Sequence, residues 1–227
     1  MNLSAAPLPA AWQWCAALVL LLAGAWMWRT APWRRLLDNS GSHVFLGACA
    51  ITYVLWRLQP EALRGLDFHL LGASALTLVL GPQLALLGLS AVMAALAFAH
   101  GWPLSALPAS LLLLAVLPVA LSAAVLRASE RLLPRNLLVY LFAAAFLGPA
   151  VAMTASGAAA SALLAAYAAP HTALMAEQFL PYCLLLGFAE ATLTGMVMTL
   201  LVVYRPAWVS TFSDERYLGP REALPWR

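Results

Sequence analysis

Glu190 is the residue whose type and place point most directly to chemistry. It stands eleven residues inside an apolar run that begins at Phe179, roughly 16 Å along a helix at 1.5 Å per residue. A carboxylate at that depth is costly against lipid, so Glu190 is expected to face the interior of a helix bundle or to carry a proton. Thr194 follows one turn later on the same helix face and is a candidate partner. Such a carboxylate serves an ion pathway or substrate site in one reading and a structural hydrogen bond to a neighbouring helix in the other. The residues alone leave both open. His43, His69, His100 and His171 stand at or near the boundaries of apolar runs. Imidazole is a ligand for nickel, cobalt, copper and zinc, but a single boundary histidine is more often a cap than a ligand. Cys15, Cys49 and Cys183 lie far apart inside apolar runs with no metal-binding spacing, and read as small buried hydrophobes. HExxH, GxSxG, Walker A and helix-opening GxGxxG patterns are absent. The expectation is a chain that is not an enzyme and has no ATP site of its own.

The elements that must position these residues follow from composition. Of 227 residues, 64% are hydrophobic and 9% charged, against about 25% charged in a typical soluble domain. Disorder is excluded, because it needs low hydrophobicity and high charge. A water-soluble globule is excluded by the shortage of polar side chains. All 12 basic residues are arginine, and the net charge of +3 is dispersed, so a nucleic-acid binder is excluded as well. Continuous Leu/Ala runs argue against the alternating faces of an outer-membrane barrel. The fold class is an all-α polytopic integral membrane bundle in the inner (plasma) membrane, with the lipid bilayer as its solvent.

Apolar runs cover 11–28, 42–56, 69–99, 102–126, 137–167 and 179–204. The third is too long for one ordinary span of about 20 residues. Gly81-Pro82-Gln83 interrupts it, and proline lacks a donor and clashes with the preceding turn. Splitting it into 69–81 and 83–99 makes about seven transmembrane helices. With seven and an external N-terminus, ten arginines are cytoplasmic and two are not; with six and an internal N-terminus, the split is nine to three. Charge therefore leans to seven, and the C-terminus is cytoplasmic in both counts. In the seven-helix count His69, His100 and His171 share the outer side. No Arg precedes the first apolar run, so a secretory signal peptide is not expected.

Small residues recur at four-residue steps in the last two helices. Gly148, Ala152 and Ser156 stand on one, with Pro149 as an expected kink, and Gly187, Ala191 and Gly195 on the other. Small residues let membrane helices approach closely, so these stripes read as packing surfaces. The expected organisation is one bundle domain over 1–209 and a short cytoplasmic tail over 210–227. The tail segment Thr211–Leu218 reads as solvated, with a docking role as the alternative.

Several motifs in order resemble a known family. Met1-Asn2-Leu3-Ser4, Pro7-Leu8-Pro9 and Trp12 resemble the opening of the CbiM/NikM-type substrate-binding membrane subunits of energy-coupling factor (ECF) transporters. His69-Leu70-Leu71-Gly72 and Leu80-Gly81-Pro82 resemble the family's HLLGG…LLGP segment. Leu180-Pro181, Glu190, Thr194-Gly195 and Arg205-Pro206 resemble its closing helix. The resemblance runs from the first residue to about 209. It implies a seven-helix bundle with an external N-terminus, and Ni²⁺ or Co²⁺ bound by the terminal amine, the second residue and a later histidine. Here those positions are Met1, Asn2 and His69. Four nitrogens in a plane suit Ni(II), and ligation requires deprotonated donors. Asn2 stands where the family has histidine, and Pro108-Ala109-Ser110 where it has Gly-Ala-Asn. Either the metal differs, or His100 or His171 supplies a ligand, or metal binding is lost.

The expected function is a permease subunit that captures a transition metal ion such as cobalt or nickel for uptake. The ion is substrate, and no covalent cofactor is expected. Separate coupling-membrane and ATPase subunits would drive the transport. Glu190 would orient or gate within the bundle. Two alternatives remain: a non-transporting membrane scaffold of the same fold, and a solitary proton-coupled carrier using Glu190.

Overall fold

The computed structural model describes residues 9–57, 72–103, 107–167 and 170–218. Among these residues every regular element is helical. Helix α1 is Ala10–Thr30, α2 is Trp33–Leu37 and α3 is Asn39–Arg57. A short α4, Ala73–Leu80, precedes α5, Pro82–His100. Next come α6, Leu107–Leu111, and α7, Leu117–Leu132, joined by a π-helical stretch Leu112–Val116. Then α8, Leu137–Val139, and α9, Gly148–Tyr167, are joined by a second such stretch, Tyr140–Leu147. Finally α10, Pro170–Tyr204, is followed by a 3-10 turn, Pro206–Trp208, and α11, Asp214–Tyr217.

Five helical segments are long and apolar enough to cross a membrane: Ala10–Thr30, Pro82–His100, Leu107–Leu132, Leu137–Tyr167 and Pro181–Tyr204. They expose large apolar side chains outward, among them Trp14, Leu21, Phe98, Phe142 and Phe188. In water such a surface would drive aggregation, whereas against lipid tails it carries no penalty. The segments at the second and third expected positions differ. Helix α3 opens on Asn39, Ser40, Ser42 and His43, which lower its apolar character. Helix α4 has 8 residues, about 12 Å at 1.5 Å each, against a hydrocarbon core of about 30 Å.

Helix α4 is the centre of the bundle rather than a span. Seven of its 8 residues are buried, all but Ala75. A helix apolar on every side is stable only when other helices surround it, and α5, α7, α9 and α10 do so. Gly81 ends it as the Gly-Pro sequence predicts. Its N–H bonds the Thr77 carbonyl, its φ of +87° turns the chain, and Pro82 starts α5. That φ is readily open only to glycine, and proline suits the first helical position because it has no N–H to satisfy.

The disturbance expected at Pro149 takes the form of the π-helical stretch just before it, and Pro118 has another. Proline cannot donate to the carbonyl four residues back. Widening the turn lets carbonyls reach the fifth residue instead, as Ala143 does to Gly148 and Leu112 to Leu117. Helix α7 runs six residues past the expected boundary at 126, because its polar last turn is held by contacts described below. Residues expected to form a loop before the last helix belong to α10, which starts at Pro170 and passes through Pro181 without ending. Cys183 is buried and Cys49 half-buried, but Cys15 is exposed, contrary to expectation. It lies on α1, a peripheral helix whose one buried residue is Ala16.

Helices α9 and α10 pack at the small-residue stripes. Gly148, Ala152, Ser156, Gly187 and Ala191 are buried and Gly195 half-buried. A Cβ on Gly187 would lie 2.5 Å from Thr154 Oγ1 and 3.0 Å from the Ala150 carbonyl oxygen, so only glycine fits there.

Candidate functional site

Glu190 lies on the buried stripe of α10 formed by Cys183, Gly187, Glu190, Ala191, Thr194 and Met198, spaced three or four residues apart as one helix face requires. The side chain is 3% exposed. Its Oε1 accepts a hydrogen bond of 2.7 Å from the backbone N–H of Gly72. Gly72 is the N-cap of α4, in the left-handed conformation at φ +57° and with its carbonyl accepting from the Leu76 N–H at 2.9 Å. The carboxylate therefore sits at the N-terminal end of a buried helix, where unpaired N–H groups and the helix dipole favour negative charge. Gly72 offers no side chain to do this itself, and α10 supplies the acceptor from 118 residues away.

The helices that meet here carry further buried polar side chains. Thr194 lies one turn along α10 and is 3% exposed. On the α7 side, Ser74 and Ser122 share a hydrogen bond of 2.7 Å. Thr77 returns its hydroxyl to the Ala73 carbonyl, which satisfies it within α4. Ser156 on α9 is also buried, and its Oγ makes no hydrogen bond.

The expected ligands Met1, Asn2 and His69 lie outside the described residues. In sequence, Gly72 is three residues after His69. His100 is the last residue of α5, with Nδ1 bonded to the Leu96 carbonyl at 2.9 Å and its ring against Trp102 at 5.7 Å. This is the local helix-end arrangement of a capping histidine. His171 falls in the first turn of α10 rather than in a loop, and its side chain is outside the described set. His43 bonds the Asn39 carbonyl within its own helix. Among the described residues no three His, Cys, Asp or Glu side chains converge into a metal site.

The opposite end of α4 is closed by a segment that the sequence reading took for solvated tail. After Arg205 the chain folds back as a strap over 206–218, burying Val209, Phe212 and Tyr217. Helix α4 ends with carbonyls that lack intrahelical partners. The Ser210 N–H donates to the Val79 carbonyl at 2.8 Å, and Thr211 Oγ1 donates to the Leu78 carbonyl at 2.7 Å. Thr211 Oγ1 lies 2.8 Å from the Tyr140 hydroxyl. Because the Thr211 proton is already given to a carbonyl, Tyr140 is the donor. Tyr140, Phe212 and Tyr217 form an aromatic cluster with ring centres 5.0–5.3 Å apart. Glu130, in the last turn of α7, accepts from Arg216 at 2.8 Å and from the Tyr217 hydroxyl at 3.1 Å. Burial and the neighbouring Glu130 charge push the Tyr217 phenol up to about 12. Beside the strap, Arg35, Asp38, Val79, Leu80 and Trp208 line a cleft of about 150 Å³. The signal that could have found the strap was the recurrence of the apolar Val209, Phe212 and Tyr217 among polar residues, which a wholly solvated tail does not need.

The arrangement can hold one short buried helix at both ends, with an acidic oxygen at the end that follows His69. Neither the curated proteins nor the solved structures compared with the chain give a match. A family model described as "Cobalt uptake substrate-specific transmembrane region" matches residues 2–208. That description is of a membrane component of cobalt uptake, not of an enzyme family, and it agrees with a multi-pass helical membrane protein. The chain belongs to this family, CbiM.

Proposed function

We propose that the chain is the subunit that captures Co²⁺ at the outer face of the plasma membrane, for uptake driven by separate coupling-membrane and ATPase subunits. The observation that carries this is the hydrogen bond from Gly72 to Glu190. It fixes the point at which the chain passes from the His69 segment into α4, and so gives the segment a rigid anchor. In this reading the Met1 amine, Asn2 and His69 are the ligands, and Glu190 orients the His69 segment. His100 and His171 are reserve ligands; the Leu96 bond of His100 argues against its use. Asn2 favours cobalt over nickel. Square-planar nitrogen sites suit Ni(II), and asparagine in place of histidine removes one imidazole from such a plane.

The same reading has seven membrane segments, with α3 and the half-length α4 as the second and third, an external N-terminus and a cytoplasmic C-terminus. Its support is that Arg35 and Trp208 line one cleft. A six-helix count would put the turn after α1 and the chain after α10 on opposite faces. A half-helix at membrane depth is tolerated when protein surrounds it, as it does α4.

Titration of the purified full chain with Co²⁺ and with Ni²⁺ by calorimetry tests the proposal. Wild type should bind Co²⁺ more tightly than Ni²⁺. His69→Ala should weaken binding, and a short extension before Met1 should abolish it by displacing the amine. A wild type that binds neither ion overturns the reading.

A further inference from the structure

The cleft beside the strap is lined by a cation and an anion that do not pair with each other. Arg35 of α2 and Asp38, just past the end of α2, both line it. Among the described residues Arg35 makes no ion pair, and the Asp38 carboxylate accepts only from the Ser40 hydroxyl, at 2.5 Å. Gly41 keeps this turn tight: a Cβ there would collide with the Arg35 carbonyl, so only glycine lets α3 start so close to α2. The rest of the lining is almost wholly apolar, with Val79 and Leu80 from the end of α4, Leu84 from α5, and Trp208. At about 150 Å³ the cleft is smaller than the roughly 300–1,000 Å³ of a drug-sized site, so it suits a small group that carries both charges.

The spans beside the cleft set its depth in the membrane. Helix α1 ends at Thr30, just before Arg35 in the chain, and α10 ends at Tyr204, just before Trp208. Trp28, Tyr204 and Trp208 are exposed at these ends, and Arg205 packs over the Trp208 ring, 5.7 Å from its centre. Tryptophan and tyrosine collect where a membrane meets water, so the cleft lies at headgroup level. Clefts with a basic residue between membrane helices at that level are suited to lipid headgroups. We propose that this cleft binds the phosphoethanolamine headgroup of a bilayer lipid, with the phosphate on Arg35 and the ammonium on Asp38. The planar guanidinium fork matches phosphate oxygens, and an ammonium has N–H donors to give a carboxylate. The methylenes between the two charges suit the apolar lining. A choline headgroup has no N–H to give Asp38, and an anionic glycerol headgroup sets a like charge against it. The proposal is independent of metal capture. It gives the α2 turn, the end of α4 and the strap a common anchor on the membrane surface.

The test places the full chain in nanodiscs made from equal parts of phosphatidylethanolamine, phosphatidylcholine and phosphatidylglycerol. Native mass spectrometry then counts the lipids that stay bound when the nanodisc is stripped away. Wild type should keep phosphatidylethanolamine in preference to both others. Arg35→Gln should lower its retention by about three- to fivefold, the worth of one exposed charged contact. Asp38→Asn should lower it by a similar factor and raise that of phosphatidylglycerol, because only the amine needs the carboxylate. Asparagine caps a helix as well as aspartate does, and both side chains are exposed, so the two variants should keep the wild-type thermal midpoint. Equal retention of the three lipids by wild type, or a preference for phosphatidylglycerol, overturns the proposal without any variant. Glycerophosphoethanolamine added to phosphatidylcholine nanodiscs tests for a soluble source of the same chemistry. It should not bind at micromolar concentration, and binding there makes the ligand a free aminophosphate and overturns the lipid assignment. Lipid retention that ignores both substitutions, while a co-purifying partner subunit is lost from the variants, makes the cleft a protein contact and overturns the proposal as well.

Discussion

Replacing Glu190 separates its charge from its shape. Glu190→Gln keeps a carbonyl oxygen that can reach the Gly72 N–H, now 2.7 Å from Oε1. It cannot carry the negative charge that the N-terminal end of α4 favours in an ionised Glu190. Hydrogen bonds to ionised acceptors are roughly twice as strong as neutral ones, and a neutral bond contributes about 1 kcal/mol net. The glutamine variant should therefore lose about 1 kcal/mol of the Gly72 bond, and the Kd for Co²⁺ should weaken by at most about fivefold, the full amount only where that bond has to be made for the ion to bind. Glu190→Ala removes the acceptor. The Gly72 N–H is then left unpaired in a site that excludes water, at a cost of about 1–3 kcal/mol. A further loss comes from the cavity left where one methylene and a carboxyl packed. Alanine should weaken binding more than glutamine does and lower the thermal midpoint clearly, whereas glutamine should lower the midpoint by only about 2–4 °C. Calorimetric Co²⁺ titration and thermal unfolding of the three proteins in the same nanodiscs measure both. If alanine and glutamine bind Co²⁺ with equal affinity, the Gly72 bond is not what Glu190 supplies. If both match wild type, Glu190 has no part in the site.

Other parts of the bundle make separate predictions. Gly187→Ala forces a Cβ within 2.5 Å of Thr154 Oγ1 and 3.0 Å of the Ala150 oxygen, so it should destabilise the protein by about 1–3 kcal/mol. Adding Thr154→Ala should recover part of that loss in a double-mutant cycle, and strict additivity would show that the helices move apart instead. The raised phenol of Tyr217 makes the strap sensitive to alkali. The neutral form is the one stabilised, so its contribution is complete below the ordinary tyrosine value near 10 and is lost as pH rises through about 12. Difference absorbance at 295 nm between wild type and Tyr217→Phe should show this ionisation near pH 12, and ionisation near 10 would mean that the strap leaves Tyr217 in water.

What the sequence displayed was governed by local physics, and what it hid was governed by distant pairing. Long apolar runs, the Gly81-Pro82 break and the small-residue steps are all visible within one window, because each depends on residues a turn or two apart. The runs could not say that 73–80 is a buried half-helix, since a lipid-facing helix and a protein-surrounded one are equally apolar. Hydropathy also placed the end of α7 at Leu126, just before Arg127, where the membrane would end. The helix continues because Glu130 finds Arg216 and Tyr217 some 86 residues later. Glu190 was legible as an interior carboxylate from cost alone, but its partner is a backbone N–H, which carries no side-chain signature at all. The strap was hidden for the same reason. Ser210 and Thr211 resemble ordinary tail residues until α4 is seen to end with carbonyls that nothing in its own sequence can satisfy. In a chain this poor in charge, the polar contacts that position the candidate site are therefore obligations of the backbone, met by whichever rare hydroxyl or carboxylate the fold brings near.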